Sequence, residues 1–210
     1  MQTKSYANRV ANLSAALQWD HRRWIWLLLI LSVGAFVLGL GDKSLDLLRY
    51  DRSAVAAGQW WRLFTCHAVH TDLHHFLLNA LGLLLVWSLF AREFNLVQWL
   101  LIAIAGAAGI SGGLWWFDVP VQWYVGASGV LHALMAAGCV KRWLDAQWDR
   151  WILAGFFVGK LGLEQYSQAR GIVAKTEDLS IVVDAHLFGA IAGAAMAAAL
   201  LAKIAILRKI

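Results

Sequence analysis

The chain has 210 residues, of which 60% are hydrophobic and only 15% charged, with 13 tryptophans, a single proline and a net charge of +5. A soluble domain runs nearer half apolar and about a quarter charged, so this composition excludes an ordinary soluble enzyme and points to a lipid bilayer as the partner. The positive charge therefore bears on membrane orientation and not on nucleic acid, and the two cysteines are too few for a disulfide framework.

Residues 1–23 read as a polar cytoplasmic leader, and residues 24–210 as one domain. The leader is long and polar, and no small-x-small cleavage site follows the first apolar run, which argues against a cleaved signal. A span needs about 20 mostly apolar residues to cross roughly 30 Å of hydrocarbon. Six candidate spans follow in order: Trp24–Leu40, Asp72–Phe90, Leu96–Phe117, Val125–Val140, Trp151–Leu163 and Leu179–Ile206. The expected fold is an all-α membrane protein, a six-transmembrane-helix bundle with both termini cytoplasmic. The fourth and fifth spans are short for a lipid-facing helix. The fourth carries Gly126, Gly129, Ala133, Ala136, Ala137 and Gly138; such small residues let neighbours approach closely, which places it mid-bundle.

The long first loop, 41–71, contains Trp60 and Trp61, which suit a membrane interface. The turn over Ala91–Asn95 is tight, and residues 164–180 read as a polar approach to the sixth span. With both ends inside, Lys4, Arg9, Arg22, Arg23, Arg92, Lys141, Arg142, Arg150, Lys203, Arg208 and Lys209 face the cytoplasm. Lys43, Arg49, Arg52, Arg62, Lys160, Arg170 and Lys175 face outward, a bias that favours this orientation. Cys66 and Cys139 then fall at different depths, beyond the roughly 7 Å between Cα atoms that a disulfide requires.

Ionisable and strongly polar groups inside a membrane are functional candidates by default. Here they are His75, Asn79, Ser128, His132, Lys160, Glu164, Asp184 and His186. Ser128 lies in Gly126-Ala127-Ser128-Gly129, where the glycines free the backbone so that hydroxyl and N–H can both reach a carbonyl. Taken alone this is weak, since a serine among small residues is usually packing. His186 stands above a G-x-x-x-G face made by Gly189 and Gly193, which permits close contact with a small-residue helix; a histidine satisfied by a loop carbonyl is the plainer alternative. Depth joins them. Counting about 1.5 Å per residue from the first cytoplasmic charge puts Ser128 and Asn79 roughly 20 Å up, and His186 and His75 roughly 25 Å up. Unrelated packing residues have no reason to share a layer.

Roles follow from chemistry. A serine hydroxyl needs an adjacent base, for which imidazole is the usual choice. His75 and Asn79 are spaced i, i+4 and can point to one spot; with the Ser128 N–H they make an oxyanion hole. No acid stands beside His186, because Asp184 points to another side of its helix. The expected unit is a Ser128–His186 dyad, with no cofactor and no metal.

The set resembles the rhomboid intramembrane serine proteases. Trp61-Arg62 in the first loop, His75 and Asn79, Gly126–Gly129, and Ala185–Gly193 match the family's pattern in order, over about residues 24–206. The resemblance implies Ser128 as nucleophile, His186 as base, an oxyanion hole from His75, Asn79 and the Ser128 N–H, and Arg62 and His70 bracing the first loop. It further implies single-span membrane protein substrates and a bacterial inner membrane, with the active site opening to the periplasm. Within the family, Ser128–His132, Lys160–Gln165 and Asp184–Leu187 look most like the rhombosortase branch, associated with surface proteins bearing a C-terminal Gly-Gly, a hydrophobic helix and a basic tail.

His132 departs from many rhomboids, which place a tyrosine there. Helical side chains lean toward the N-terminus, so His132 should contact His186, either orienting it or acting as base itself; the orienting role is the one expected. Lys160 and Glu164, i, i+4, read as an ion pair near the outer end of the fifth span, or as a contact for the substrate's Gly-Gly region or an acceptor nucleophile. Rival readings are a metal site from Cys66, His67, His70, His74 and His75, which lacks clean zinc-ligand pairs, a haem-binding membrane protein, and an inactive rhomboid-like binding protein.

Overall fold

A computed structural model describes residues 30, 31, 33–170 and 182–207. The 1–23 leader, residues 24–29 and 32 of the first span, the stretch 171–181 and the terminal charges Arg208 and Lys209 lie outside the described residues. Residues 33–39 are helical. Then come α1 (Asp42–Leu48), β1 (Tyr50–Asp51), α2 (Arg52–Ala56) and α3 (Arg62–Thr65). The remaining elements are α4 (Leu73–Phe90), α5 (Leu96–Trp116), β2 (Trp123–Tyr124), α6 (Ser128–Leu144), α7 (Arg150–Ala169) and α8 (Val183–Leu207).

Three of these helices, α4, α5 and Val183–Ile204 of α8, are long and apolar enough to cross a membrane by length and composition. Their outer faces carry Leu77, Leu81, Leu100, Ile104 and Ile191, all exposed. So broad an apolar surface is untenable in water and is right for lipid. Local signals set the ends. Asp72 caps α4 by accepting from the His75 N–H. Asn95 and Gln98 form a reciprocal capping box at the start of α5, closing the expected tight turn. At the other end of the bundle Arg142 of α6 reaches Glu93 at 2.7 Å and Asp149 at 2.8 Å, and donates to the Leu89 carbonyl. One guanidinium thus ties two turns to the central helix.

Two spans differ from expectation. The fourth starts at Ser128 and runs to Leu144, not Val125–Val140. The fifth is not the short Trp151–Leu163 but a helix of 20 residues reaching Ala169. Its polar end is stable because Gln165 and Gln168 donate to Asp184 on α8 at 3.3 and 2.8 Å. Asp184 is thereby occupied away from His186.

The helix α6 lies centrally, packed on α4, α5, α7 and α8. Side chains such as Phe90, Ile102, Ala137 and Phe157 form one buried cluster around it. A second cluster, with Tyr50, Cys66, Ile110, Leu114 and Tyr124, roots the 41–71 loop on the bundle. That loop is built, not slack. Its strand β1 pairs antiparallel with β2, Tyr50 opposite Tyr124. Arg62, buried, donates to Gln59 and to the Arg49 and Asp46 carbonyls at 2.7–2.9 Å.

Candidate active site

Ser128 is the first residue of α6, and Ala127 before it offers no side-chain cap. The first N–H groups of a helix lack intrahelical acceptors, so they are suited to meet a developing anion at this point. Gly126 makes the approach possible: its φ is 116°, in the left-handed region. Its N–H donates to the Cys66 carbonyl at 3.0 Å. A Cβ at Gly126 would lie only 2.7 Å from His75 Nε2, so the His75 ring sits directly against this turn.

His186 stands in the first turn of α8, 5% exposed. Its Nε2 is 2.9 Å from Ser128 Oγ. The contact depends on glycine. A Cβ on Gly189 would strike the Gly129 carbonyl, and one on Gly193 would strike the Ala133 carbonyl. On the facing helix, a Cβ on Gly129 would come within 2.9 Å of the Ala185 carbonyl. Backbone meets backbone along the seam, and that closeness delivers the imidazole to the hydroxyl.

The structure corrects the expectation that no acid stands beside His186. Glu164 Oε2 on α7 is 3.1 Å from His186 Nδ1. The other carboxylate oxygen is paired with Lys160. Lys160 Nζ in turn is 2.7 Å from His132 Nε2, and His132 Nδ1 is 2.7 Å from the Ser128 carbonyl. The His132 and His186 rings stack with centroids 4.0 Å apart and planes at 12°. The expected contact between the two histidines is present, and so is the expected Lys160–Glu164 ion pair, but the pair faces the serine site. A signal for Glu164 existed. Counted up from Arg150 at about 1.5 Å per residue it stands roughly 20 Å up, in the layer of Ser128. Ending the fifth span at Leu163 hid it.

A cavity of about 600 Å³ borders every member of this cluster except Glu164. Ser128, His186, His132, Lys160, His75 and Asn79 supply its polar lining, and Leu78, Leu85, Phe156 and Phe157 are among its apolar walls. Asn79 Nδ2 gives one hydrogen to the His75 carbonyl at 3.0 Å, leaving its second for a ligand. The Thr71 hydroxyl stands 2.8 Å from Asp72 Oδ2 and 3.2 Å from His75 Nδ1. The hydroxyl gives its one hydrogen to the Asp72 carboxylate, which can only accept.

The cluster that raised a metal reading is divided. His67 faces Ser111 at 3.4 Å and the edge of Tyr124. His70 instead packs edge-on against His75 and Phe76, with neither ring nitrogen hydrogen-bonded among the described residues. Its contacts are therefore ring packing. Burial pushes both His67 and His70 down to about 4 and the Cys66 thiol up to about 12, so all three are neutral. Ligand-type atoms do converge within 4.8 Å at His132, Glu164 and His186, but the cation bonded to two of these groups is the Lys160 ammonium.

Residues 57–203 match the Rhomboid domain family. Over 87 residues, 41% of the chain, it is 33% identical to Rhomboid protease GluP of Bacillus subtilis (strain 168), covering 17% of that protein. Over 105 residues, 49% of the chain, it is 34% identical to RHOMBOID-like protein 9, chloroplastic, of Arabidopsis thaliana, covering 24% of it. The chain thus matches less than a quarter of the length of each of these curated relatives.

Proposed function

The chain belongs to the rhomboid family and is an integral membrane protein, and from that premise we propose that it is an intramembrane serine endopeptidase of six spans with both termini cytoplasmic. The observation that carries the reading is the 2.9 Å approach of His186 Nε2 to Ser128 Oγ at an uncapped helix start, on a cavity with largely apolar walls. Ser128 Oγ attacks the scissile carbonyl while its proton passes to His186 Nε2. The oxyanion accepts hydrogen bonds from the Ser128 N–H, Asn79 Nδ2 and the His75 ring. The His186 imidazolium then returns the proton to the leaving nitrogen as the C–N bond breaks. Water, or an amine, resolves the acyl-enzyme by the same route in reverse.

His186 is preferred to His132 as base because both His132 nitrogens are engaged, one by Lys160 and one by the Ser128 carbonyl. Arg62 and His70 serve as support for the first loop, as do Gly126, Gly129, Gly189 and Gly193 for the seam. The substrates we infer are single-span membrane proteins cut near the outer, periplasmic face of a bacterial inner membrane. From the likeness to the rhombosortase branch we infer a cut near a C-terminal Gly-Gly ahead of a hydrophobic helix. Glycines there cost about 1 kcal/mol each in helix stability, which frees an extended strand for attack. The test is labelling with a fluorophosphonate. The parent protein should label and Ser128→Ala should not; an unlabelled parent, or equal labelling of both, overturns the reading.

A further inference from the structure

We propose that Glu164 is a positioning residue that fixes His186 as the base, and that Lys160 and His132 close the dyad into a ring of hydrogen bonds returning to the Ser128 backbone. This deepens the serine-protease reading and rests on it.

The ring runs from Ser128 Oγ to His186 Nε2 at 2.9 Å and from His186 Nδ1 to Glu164 Oε2 at 3.1 Å. It continues from Glu164 Oε1 to Lys160 Nζ, from Lys160 to His132 Nε2 at 2.7 Å, and from His132 Nδ1 to the Ser128 carbonyl at 2.7 Å. Its polarity is forced. An ammonium has donors only and a carboxylate acceptors only. Lys160 must donate to His132 Nε2, so His132 carries its hydrogen on Nδ1 and donates it to the Ser128 carbonyl. Glu164 must accept from His186 Nδ1, so the lone pair of His186 lies on Nε2, facing the serine hydroxyl. The opposite tautomer, with hydrogen on Nε2, could not take the serine proton.

Each member also answers a cost. A lone carboxylate in an apolar bundle is expensive; the adjacent Lys160 ammonium makes the pair neutral overall. The His132 ring, stacked at 4.0 Å, stops the imidazole from swinging away from Glu164. The acid nearest in sequence, Asp184, is held by Gln165 and Gln168 and takes no part.

The test is the rate of fluorophosphonate inactivation of the full chain in detergent, resolved into the limiting rate and the concentration for half-saturation, with thermal unfolding recorded beside it. Glu164→Gln should lower the limiting rate about 10²–10⁴-fold, as loss of an imidazole orienter does elsewhere. Half-saturation should move less than about threefold, because only the activated state is affected. Where Glu164→Gln lowers the melting temperature, Glu164→Asp decides, since it keeps the charge but withdraws the carboxylate from the ring. A tenfold or greater loss of limiting rate supports positioning, and a parent rate overturns it. Lys160→Gln should show a smaller loss of the same kind. A parent rate in Glu164→Gln while Ser128→Ala is unlabelled overturns this inference and leaves the serine reading standing. An unlabelled parent removes both.

Discussion

Where α6 meets α8, glycines 129, 189 and 193 set backbone against backbone, and a single added methyl would collide with a carbonyl. Where α4 faces α7, the helices make little contact, and exposed Leu78, Leu85 and Phe156 stand along the gap. The same cavity touches both sides. The difference matches two demands of the proposed protease: proton transfer needs atoms held within tenths of an ångström, whereas admitting a polypeptide needs a wall that can yield. Close-packed backbone provides the first, and loosely apposed side chains against lipid the second.

The sharpest way to break this comparison is to remove the chemistry and keep the seam. Ser128→Ala and His186→Ala should each abolish labelling and cleavage, with the double variant no worse, because the pair acts as a unit. Next in size is the seam itself. Gly189→Val forces α6 and α8 apart at the Gly129 carbonyl, so both folded yield in detergent and labelling should collapse. A well-folded, active Gly189→Val would show that the seam is not what delivers His186. On the α4 wall, His75→Ala and Asn79→Ala should each lower the turnover rate by about 10²–10³ with little change in KM. Parent rates in both would dismiss the oxyanion assignment.

A smaller effect should appear with pH. His70 packs against His75 with Asp72 nearby, and burial holds its pKa at about 4, below the ordinary 6.5. The unfolded chain therefore binds a proton where the folded one resists it. This contribution to stability is whole above about pH 6.5 and is lost as pH falls through 4. His70→Phe should flatten the fall in melting temperature over that window, and an unchanged slope would remove His70 as its cause. Smallest of all is Phe156→Ala on the gap. This exposed ring should cost less than about 0.5 kcal/mol and leave fluorophosphonate labelling intact, in contrast to Gly189→Val.

Much of the site was legible because helices convert sequence spacing into depth. Counting residues from a cytoplasmic charge put Ser128, His186, His75 and Asn79 in one layer, and all four line one cavity. The lean of helical side chains likewise placed His132 on His186, now seen as a stack. Glycine spacing marked the seam because G-x-x-x-G has one common physical use in a bundle, close approach. The central position of α6 followed from its small residues in the same way.

Glu164 was not legible in that manner. The end of α7 depends on amides of Gln165 and Gln168 finding a carboxylate on α8, a partner 16 to 19 residues further along the chain. Hydropathy alone stopped the helix at the first acid. The rotation of α7 about its own axis was equally hidden. Sequence spacing pairs Lys160 with Glu164 whichever way the helix turns, and only packing against α6 aims that pair at two histidines. The sequence by itself therefore determined which groups share a helix face and a depth, since these follow from 1.5 Å of rise and 3.6 residues per turn. The azimuth of one helix against another was decided only by tertiary structure, because it depends on side-chain contacts made across the bundle. That azimuth is what sets a carboxylate beside an imidazole instead of toward lipid.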